Sequence, residues 1–328
     1  MIIIADLHLK EESAGVILGE VLPGIFQACI ARNEHEVVIL GDVLHFRYKV
    51  DARLQNTLKD EFKRWGEAQI NVRILPGNHD QYEVSGRNAL ELFNEMPNVR
   101  VYSEPTWTSE GLWIPYRKDT EALKAALRSS CTGSCNTLFM HHGVRGAWMN
   151  DNVQDSDGVL LESLEPARWD AILCGHYHKH QKIGDNFWYI GSPWQTTANE
   201  AGQVKGYVAY SCFGKSVEFV PMAWGPRFHR FEVAAGQPID LRGVNARDEV
   251  RIKTTGPGAE AAALVLGKQL AEAGLARHIV TPEIEPMQAR LNVQPGATLE
   301  HYAQAYVDQI GSDLDKGQLM ATYRELTA

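Results

Sequence analysis

Five short groups of acid, amide and imidazole side chains are spread through the first 180 residues: Asp6-x-His8, Gly41-Asp42, Gly77-Asn78-His79-Asp80, His141-His142-Gly143 and Gly175-His176-Tyr177-His178. Carboxylate, carboxamide and imidazole are oxygen and nitrogen donors for divalent ions, and the absence of thiolates among them favours Mn²⁺, Fe, Zn²⁺ or Mg²⁺ over a soft metal. Asp6, His8, Asp42, Asn78, His141, His176 and His178 are too many ligands for one ion and suit two ions sharing a carboxylate. Two such ions about 3.5–4 Å apart bind a phosphoryl oxygen, lower the pKa of a bridging water and neutralise charge in an in-line displacement. A lone D-x-H or G-D is ordinary turn chemistry. G-N-H-D arises by chance on the order of once in a thousand chains of this length, and the ordered set carries more weight than any member. In the His141-His142 doublet, His141 comes first after its strand and is taken as the ligand, with His142 as the alternative.

The elements between the motifs must bring them together. Residues 1–5 are an apolar run that reads as a buried strand; 36–40, 71–75, 137–140 and 170–174 read the same way, and each ends just before a motif. Asp, Asn or His therefore follows the C-terminal end of a strand in every case, at the edge where open α/β sheets gather ligands. Eight of the twelve histidines (His8, His45, His79, His141, His142, His176, His178 and His180) fall in or beside these turns. Apolar spacing predicts helices over 20–33, 51–69, 87–95 and 119–129. Further strands are expected near 99–102 and 112–116 and over 187–190, 205–211 and 216–220. Early β-α-β alternation implies parallel strands under helices and the later helix-poor stretch implies antiparallel hairpins, which together make a layered α/β core.

A turn cluster at Trp224-Gly225-Pro226 separates this core from a second unit. Strands over 228–233 and 249–254, a helix over 259–274 and strands near 277–284 and 289–293 suffice for a small α+β domain with its own sheet. After Gln294-Pro295-Gly296, the residues Leu299, Tyr302, Tyr306 and Ile310 recur at helical spacing, and a second short helix is expected around 316–326. The expected domains are 1–223, 224–295 and 296–328.

At 328 residues, 44% hydrophobic and 22% charged, the chain has the make-up of a globular protein, which excludes disordered, collagenous and fibrous classes. No basic leader followed by an apolar run opens it and no later stretch approaches 18 apolar residues, so neither export nor a membrane span is expected and the location is read as cytoplasmic. Five thinly spread cysteines are expected to be reduced, with the pair Cys131 and Cys135 read as surface-loop thiols beside Gly133. The net charge of −9 argues against a polyanionic partner until several acids are assigned to metals, whose charge would cancel theirs. Locally, Arg47, Lys49, Arg53, Lys59, Lys63 and Arg64 outnumber Asp51, Asp60 and Glu61, so a basic patch suited to a phosphate backbone starts beside the Asp42 turn. Arg145, Lys179, Lys182, Arg227 and Arg230 are further basic candidates, and Tyr48, Trp148 and Trp194 are candidates to stack on unpaired bases. The alternative for the basic run is a solvated helix face.

The ordered series D-x-H, G-D, G-N-H-D, H and G-H-x-H, over about residues 1–220, resembles the calcineurin-like metallophosphoesterases. The resemblance implies an α/β fold, a four-layer α-β-β-α sandwich of two mixed sheets, joined here to a small α+β capping domain and a short C-terminal helical tail. By position it implies that Asp6, His8, Asp42 and His178 hold one divalent ion and Asp42, Asn78, His141 and His176 a second, with Asp42 as the bridge. It also implies that His79 protonates the leaving oxygen and that Asp80 orients His79.

Two finer features resemble the SbcD-type exonuclease subunits of DNA double-strand-break repair and their phage counterparts. One is Gly41-Asp42-Val43-Leu44-His45, where His45 would help present the scissile phosphate; the other is Gly191-Ser192-Pro193-Trp194 after the last motif. This narrower resemblance implies a Mn²⁺-dependent 3′→5′ exonuclease that also cuts single strands, a coiled-coil SbcC-type ATPase held by the C-terminal helices, and room for a homodimer. The DNA contacts expected with it are Arg47, Lys49, Arg53, Lys179 and Trp194. Two rival expectations stand beside it. A small-molecule or cyclic-nucleotide phosphodiesterase of the same superfamily would leave the second domain without a task, and a non-catalytic scaffold would have no need of a complete ligand set.

Overall fold

The computed structural model describes residues 1–83, 86–128, 135–283, 298–309 and 315–327. The strands in chain order are β1 (Ile2–Ile4), β2 (Glu36–Leu40), β3 (Asn71–Leu75), β4 (Val99–Val101), β5 (Thr106–Trp107), β6 (Gly111–Ile114), β7 (Thr137–His141) and β8 (Ala171–Gly175). They continue as β9 (Gln181–Ile183), β10 (Phe187–Tyr189), β11 (Lys205–Ser211), β12 (Ser216–Met222), β13 (Phe228–Ala234), β14 (Glu249–Thr255) and β15 (His278–Pro282). Two six-stranded mixed sheets form the larger unit, in spatial orders β12-β11-β1-β2-β3-β4 and β5-β6-β7-β8-β10-β9.

The period-2 alternation of each strand sorts its residues between two layers. Ile2 and Ile4, like Val37 and Ile39, face the outer cluster of the first sheet, whereas Ile3, Ala5, Val38 and Leu40 face the space between sheets. In the second sheet Trp113, Phe139 and Leu173 meet them there, and Leu112, Leu138 and Ile172 face outward. Helices α1 (Glu11–Val16), α2 (Leu22–Arg32) and α3 (Ala52–Glu67), with the π turn Ile17–Val21 that joins the first two, cover the first sheet through Ile17, Val21, Ile25, Leu58, Phe62 and Trp65. Helix α4 (Thr120–Leu127) covers the second through Leu123, Ala126 and Leu127. The result is the four-layer α-β-β-α sandwich. Register aligns the strand ends: Ile4 pairs with Ile39, Leu40 with Leu75 and His141 with Gly175, so the turns that follow β1, β2, β3, β7 and β8 gather at one edge.

Several local expectations are corrected. The first helix starts at Glu11 rather than near 20, because burial of Ile17 and Val21 carries it past Gly15 and Gly19 through a π turn at Ile17–Val21. By length and composition this rod, Glu11–Arg32, is apolar enough to cross a membrane, contrary to the sequence reading. Its buried side chains, Ile17, Val21, Leu22, Ile25 and Cys29 among them, lie in the core cluster of the first sheet. The helix expected over 87–95 is only a 3₁₀ turn at Glu91–Glu95: Asn88 accepts the N–H of Leu90 at 3.1 Å and donates to Gly86 O and Ser103 Oγ, offering the backbone a turn instead. Cys135 is buried and bonded to Cys212 as a disulfide, not a surface-loop thiol, because the start of β7 lies against the end of β11. Cys131, Ile310 and the strand expected near 289–293 lie outside the described residues.

Beyond Gly225, β13, β14 and β15 form a separate parallel sheet, with helix α5 (Ala259–Glu272) crossing between the last two strands. Val233, Val250, Ile252, Leu270 and Leu275 make its own small core. It is fastened to the sandwich by Phe228 N–H donating to Gln195 Oε1 (2.7 Å), Gly225 N–H to Glu20 Oε2 (2.9 Å) and an Arg247–Glu20 ion pair. Helices α6 (Leu299–Gln309) and α7 (Lys316–Thr327) pack on each other, with Val307 and Met320 buried and Arg324 paired to Glu300.

Candidate metal centre

The turns after β1 and β2 run side by side. Asp6 N–H donates to Gly41 O (3.0 Å), His8 N–H to Asp42 O (2.8 Å) and Leu9 N–H to Val43 O (2.8 Å), which locks the D-x-H segment onto the G-D segment. The glycines of the motifs are explained by close approach. A Cβ on Gly41 would collide with the His141 ring, and one on Gly77 with the Asp42 carboxylate. Asp6, His8, Asp42 and His176 all have positive φ (54°, 52°, 52° and 98°), a conformation that side chains other than glycine adopt at a cost, and one that gathers at functional sites.

Among the described residues three groups of donor atoms converge: His8 with His45 and His79, and two that each contain an aspartate. Asp6, His8 and His178 converge in one, and Asp42, His141 and His176 in the other, with the donor atoms of each within 4.8 Å of one another. Within the first, Nε2 of His8 lies 3.0 Å from Nε2 of His178. In the second, Asn78 Oδ1 lies 3.1 Å from His141 Nε2 and 2.9 Å from His176 Nδ1. Asp42 stands between them: Oδ2 is 3.7 Å from His8 Nε2, and Oδ1 is 3.5 Å from His141 Nε2.

Two of the imidazoles are held from behind by an acceptor that fixes which nitrogen carries hydrogen. His141 Nδ1 donates to Leu40 O (2.8 Å) and His178 Nδ1 to Glu200 Oε1 (2.8 Å), leaving both Nε2 lone pairs to face the cluster. His142 is not brought in, since its Nδ1 and Nε2 face the carbonyls of Gly143 and Arg117. The geometry therefore favours His141 over its neighbour.

Electrostatics supply the test of whether these residues suit cations. Asp6, Asp42 and Asp80 are all at most 2% exposed. Burial, joined by the charge of Asp42, pushes Asp6 up to about 6 and Asp80 up to about 7. Burial also disfavours the charge of Asp42, but His141 beside it outweighs burial and holds the carboxylate well below its usual range; in return Asp42 raises His141 to about 9 against its own burial. Burial pushes His8 down to about 2 and His176 to about 3, which keeps them as neutral ligands. Buried acids clustered with the neutral imidazoles of His8 and His176, and strong enough to raise His141 and, with Glu200, His178 against their burial, make a concentration of negative charge and donor atoms that fits two divalent ions of the hard-to-borderline class.

His79 and His45 stand at the rim of the same cavity, which is also lined by Lys10, Ser13, Trp194, Thr196 and Thr197. His79 N–H donates to Asp42 Oδ1 (2.8 Å), and its Nδ1 donates to His45 O (2.7 Å). His45 Nδ1 lies 3.3 Å from His8 Nδ1, behind the face that His8 turns to the cluster. The expectation that Asp80 orients His79 is corrected. Asp80 accepts the backbone N–H groups of Leu44 (2.8 Å), Gly77 (2.9 Å) and Val43 (3.3 Å), tying the second and third turns together, and the His45 carbonyl orients His79 instead.

Of the expected DNA contacts, Arg47 and Lys49 are exposed on the segment that follows His45, next to exposed Phe46 and Tyr48. Arg53 pairs with Asp51 (3.0 Å) and Lys179 with Asp151 (2.7 Å), so their charges are already partnered. Trp194 is not an exposed stacking surface: it is 7% exposed, belongs to the core cluster of the first sheet and lies against Gly225. Sequence reasoning missed Ser13, whose hydroxyl donates to His8 O (2.9 Å), and Glu200 with Lys205 behind His178. None of these belongs to a motif.

Residues 1–180, which contain all five motifs, match the model of the calcineurin-like phosphoesterase family. The chain belongs to that family of metal-dependent phosphoesterases. It is similar to exonuclease subunit 1 of Enterobacteria phage T4, 25% identical over 244 residues, with 69% of each chain covered. Among solved structures it is similar to the nuclease MPE of Pseudomonas putida at 15% identity and a TM-score of 0.29, over 57% of this chain and 65% of that one, just under two thirds of its length.

Proposed function

We propose that the chain is a two-metal phosphodiesterase acting on DNA, a Mn²⁺-dependent 3′→5′ double-strand exonuclease that also cuts single strands and serves recombination or repair in the cytoplasm. The observation that carries the reading is Asp42, with one carboxylate oxygen toward the Asp6–His8–His178 group and the other toward His141. In the proposal Asp6, His8, Asp42 and His178 hold one ion and Asp42, Asn78, His141 and His176 the other. When bound, the pair would supply a water of lowered pKa and neutralise charge on the phosphoryl oxygens. The similarity to a phage exonuclease subunit supports DNA as the substrate.

The chain's own residues supply the rest. His79 is anchored at both its backbone N–H and its Nδ1, so its Nε2–H, in the imidazolium form, is the proton offered to the departing 3′ oxygen. His45, at the cavity rim and in contact with His8, helps present the scissile phosphate. Arg47 and Lys49 engage the phosphate backbone that leads into the cavity, with Phe46 and Tyr48 available for stacking. The 224–295 segment caps the DNA, and the tail, whose Leu299, Tyr302 and Tyr306 are exposed, docks an SbcC-type coiled-coil ATPase.

The experiment is hydrolysis of end-labelled linear duplex DNA beside bis-p-nitrophenyl phosphate, each with Mn²⁺, Mg²⁺ or EDTA. Mn²⁺-dependent nucleotide release from the 3′ end supports the proposal. Cleavage of the small diester alone would contradict DNA as the substrate.

A further inference from the structure

Glu200 sits in a 3₁₀ turn (Ala198–Glu200), 22 residues past His178, and is 4% exposed. Its two oxygens face different ways. Oε1 accepts from His178 Nδ1 (2.8 Å) and from Thr196 Oγ1 (2.5 Å); Oε2 accepts from Lys205 Nζ (2.7 Å) and from the backbone N–H of Thr196 (3.1 Å). Lys205 is equally enclosed, at 5% exposure, and its three N–H bonds meet three acceptors: Glu200 Oε2, His178 O (2.7 Å) and Ser192 Oγ (2.9 Å). It opens β11, the hydrogen-bonded neighbour of β1, whose end carries Asp6 and His8.

We propose that Glu200 is a positioning residue for the Asp6–His8–His178 group: its carboxylate, locked by Lys205, takes the Nδ1–H of His178 and so presents Nε2 of that ring to the ion. This inference rests on the two-metal reading above. A buried ion pair is costly to desolvate, and an apolar pair of similar volume would serve the fold as well. What an apolar pair cannot do is fix the tautomer and angle of an imidazole. Lys205 holds both the carboxylate behind the ring and the carbonyl of the same histidine, so side chain and backbone of His178 are set by one ammonium group.

The test is Mn²⁺ titration calorimetry on the full chain, with Mn²⁺ alone as the probe, for the parent, Glu200→Gln and Glu200→Leu/Lys205→Met, together with melting of the metal-free proteins. The parent is expected to bind two ions. Glu200→Gln should weaken one of them by about tenfold and the double variant by about a hundredfold, with the other ion unchanged and the metal-free double variant melting near the parent. Parental affinity for both ions in the double variant would overturn the proposal and leave the pair a purely structural role. Should the double variant fail to fold, Glu200→Gln in a His178→Ala background decides: no further loss of Mn²⁺ affinity is expected, and an additive loss overturns it. A parent that binds fewer than two ions would instead bring down the two-metal reading, and this inference with it.

Discussion

His79 donates its backbone N–H to Oδ1 of Asp42 at 2.8 Å, so the residue proposed to share two ions also anchors the residue proposed to protonate the leaving group. The anchor is main chain, and it survives truncation of the side chain. His79→Ala should therefore keep both metals while lowering kcat by about 10²–10⁴-fold, the range for loss of a general acid. Metal analysis of the variant beside its turnover on DNA checks this; depleted metal would sink the assignment.

Asp80 acts on the backbone rather than on His79. Asp80→Asn replaces one acceptor oxygen with a donor, set against the N–H of either Leu44 (Oδ1) or Gly77 (Oδ2), so it should destabilise the protein by about 1–3 kcal/mol and weaken metal binding. A triad partner of His79 would instead alter the pH profile of kcat with stability intact. Urea unfolding and the kcat–pH curve, measured on one preparation, separate the two roles.

Arg47 and Lys49 lie outside the metal clusters, exposed on the segment after His45. Arg47→Ala/Lys49→Ala should weaken DNA binding and reduce the slope of log K against log[salt] by about 2, while hydrolysis of bis-p-nitrophenyl phosphate stays at the parental rate. An unchanged salt slope would remove both residues from the DNA path.

Away from the site, Glu110 joins β6 to β3. Burial would raise its pKa, but the hydrogen bonds from Arg73 (2.8 Å) and Thr108 (2.8 Å) outweigh burial and hold it at about 2, against 4.5 for the free side chain. A carboxyl whose folded pKa is depressed adds stability above its unfolded pKa and loses it as the pH falls through the folded one. The stability gap between the parent and Glu110→Gln should accordingly be full at pH 6 and close progressively below about pH 4.5. Urea unfolding between pH 7 and pH 3 reads this out; a gap that does not vary with pH would contradict it.

The sandwich and its ligand edge were legible because one rule, apolar runs ending in Asp, Asn or His, repeats at β1, β2, β3, β7 and β8. Period-2 alternation encodes which side of each strand is buried, and strand ends fix where the following turns gather. Glu200 and Lys205 were not legible, since their value depends on a turn folding back onto His178, a contact that no local spacing encodes. Asp80 was misread because adjacency in G-N-H-D suggests a contact with His79, while the tight turn aims the carboxylate at the backbone of Val43 and Leu44. The Cys135–Cys212 bond joins residues 77 apart and depends on how the two sheets face each other.

The central claim is that Asp42 is shared by two ions. Manganese content per chain, measured after Mn²⁺ loading and desalting for the parent and for Asp42→Ala, tests it most directly. The account predicts two ions in the parent and loss of both in the variant, because each group loses the Asp42 oxygen that faces it. A single ion in the parent, or two ions retained by Asp42→Ala, would contradict it.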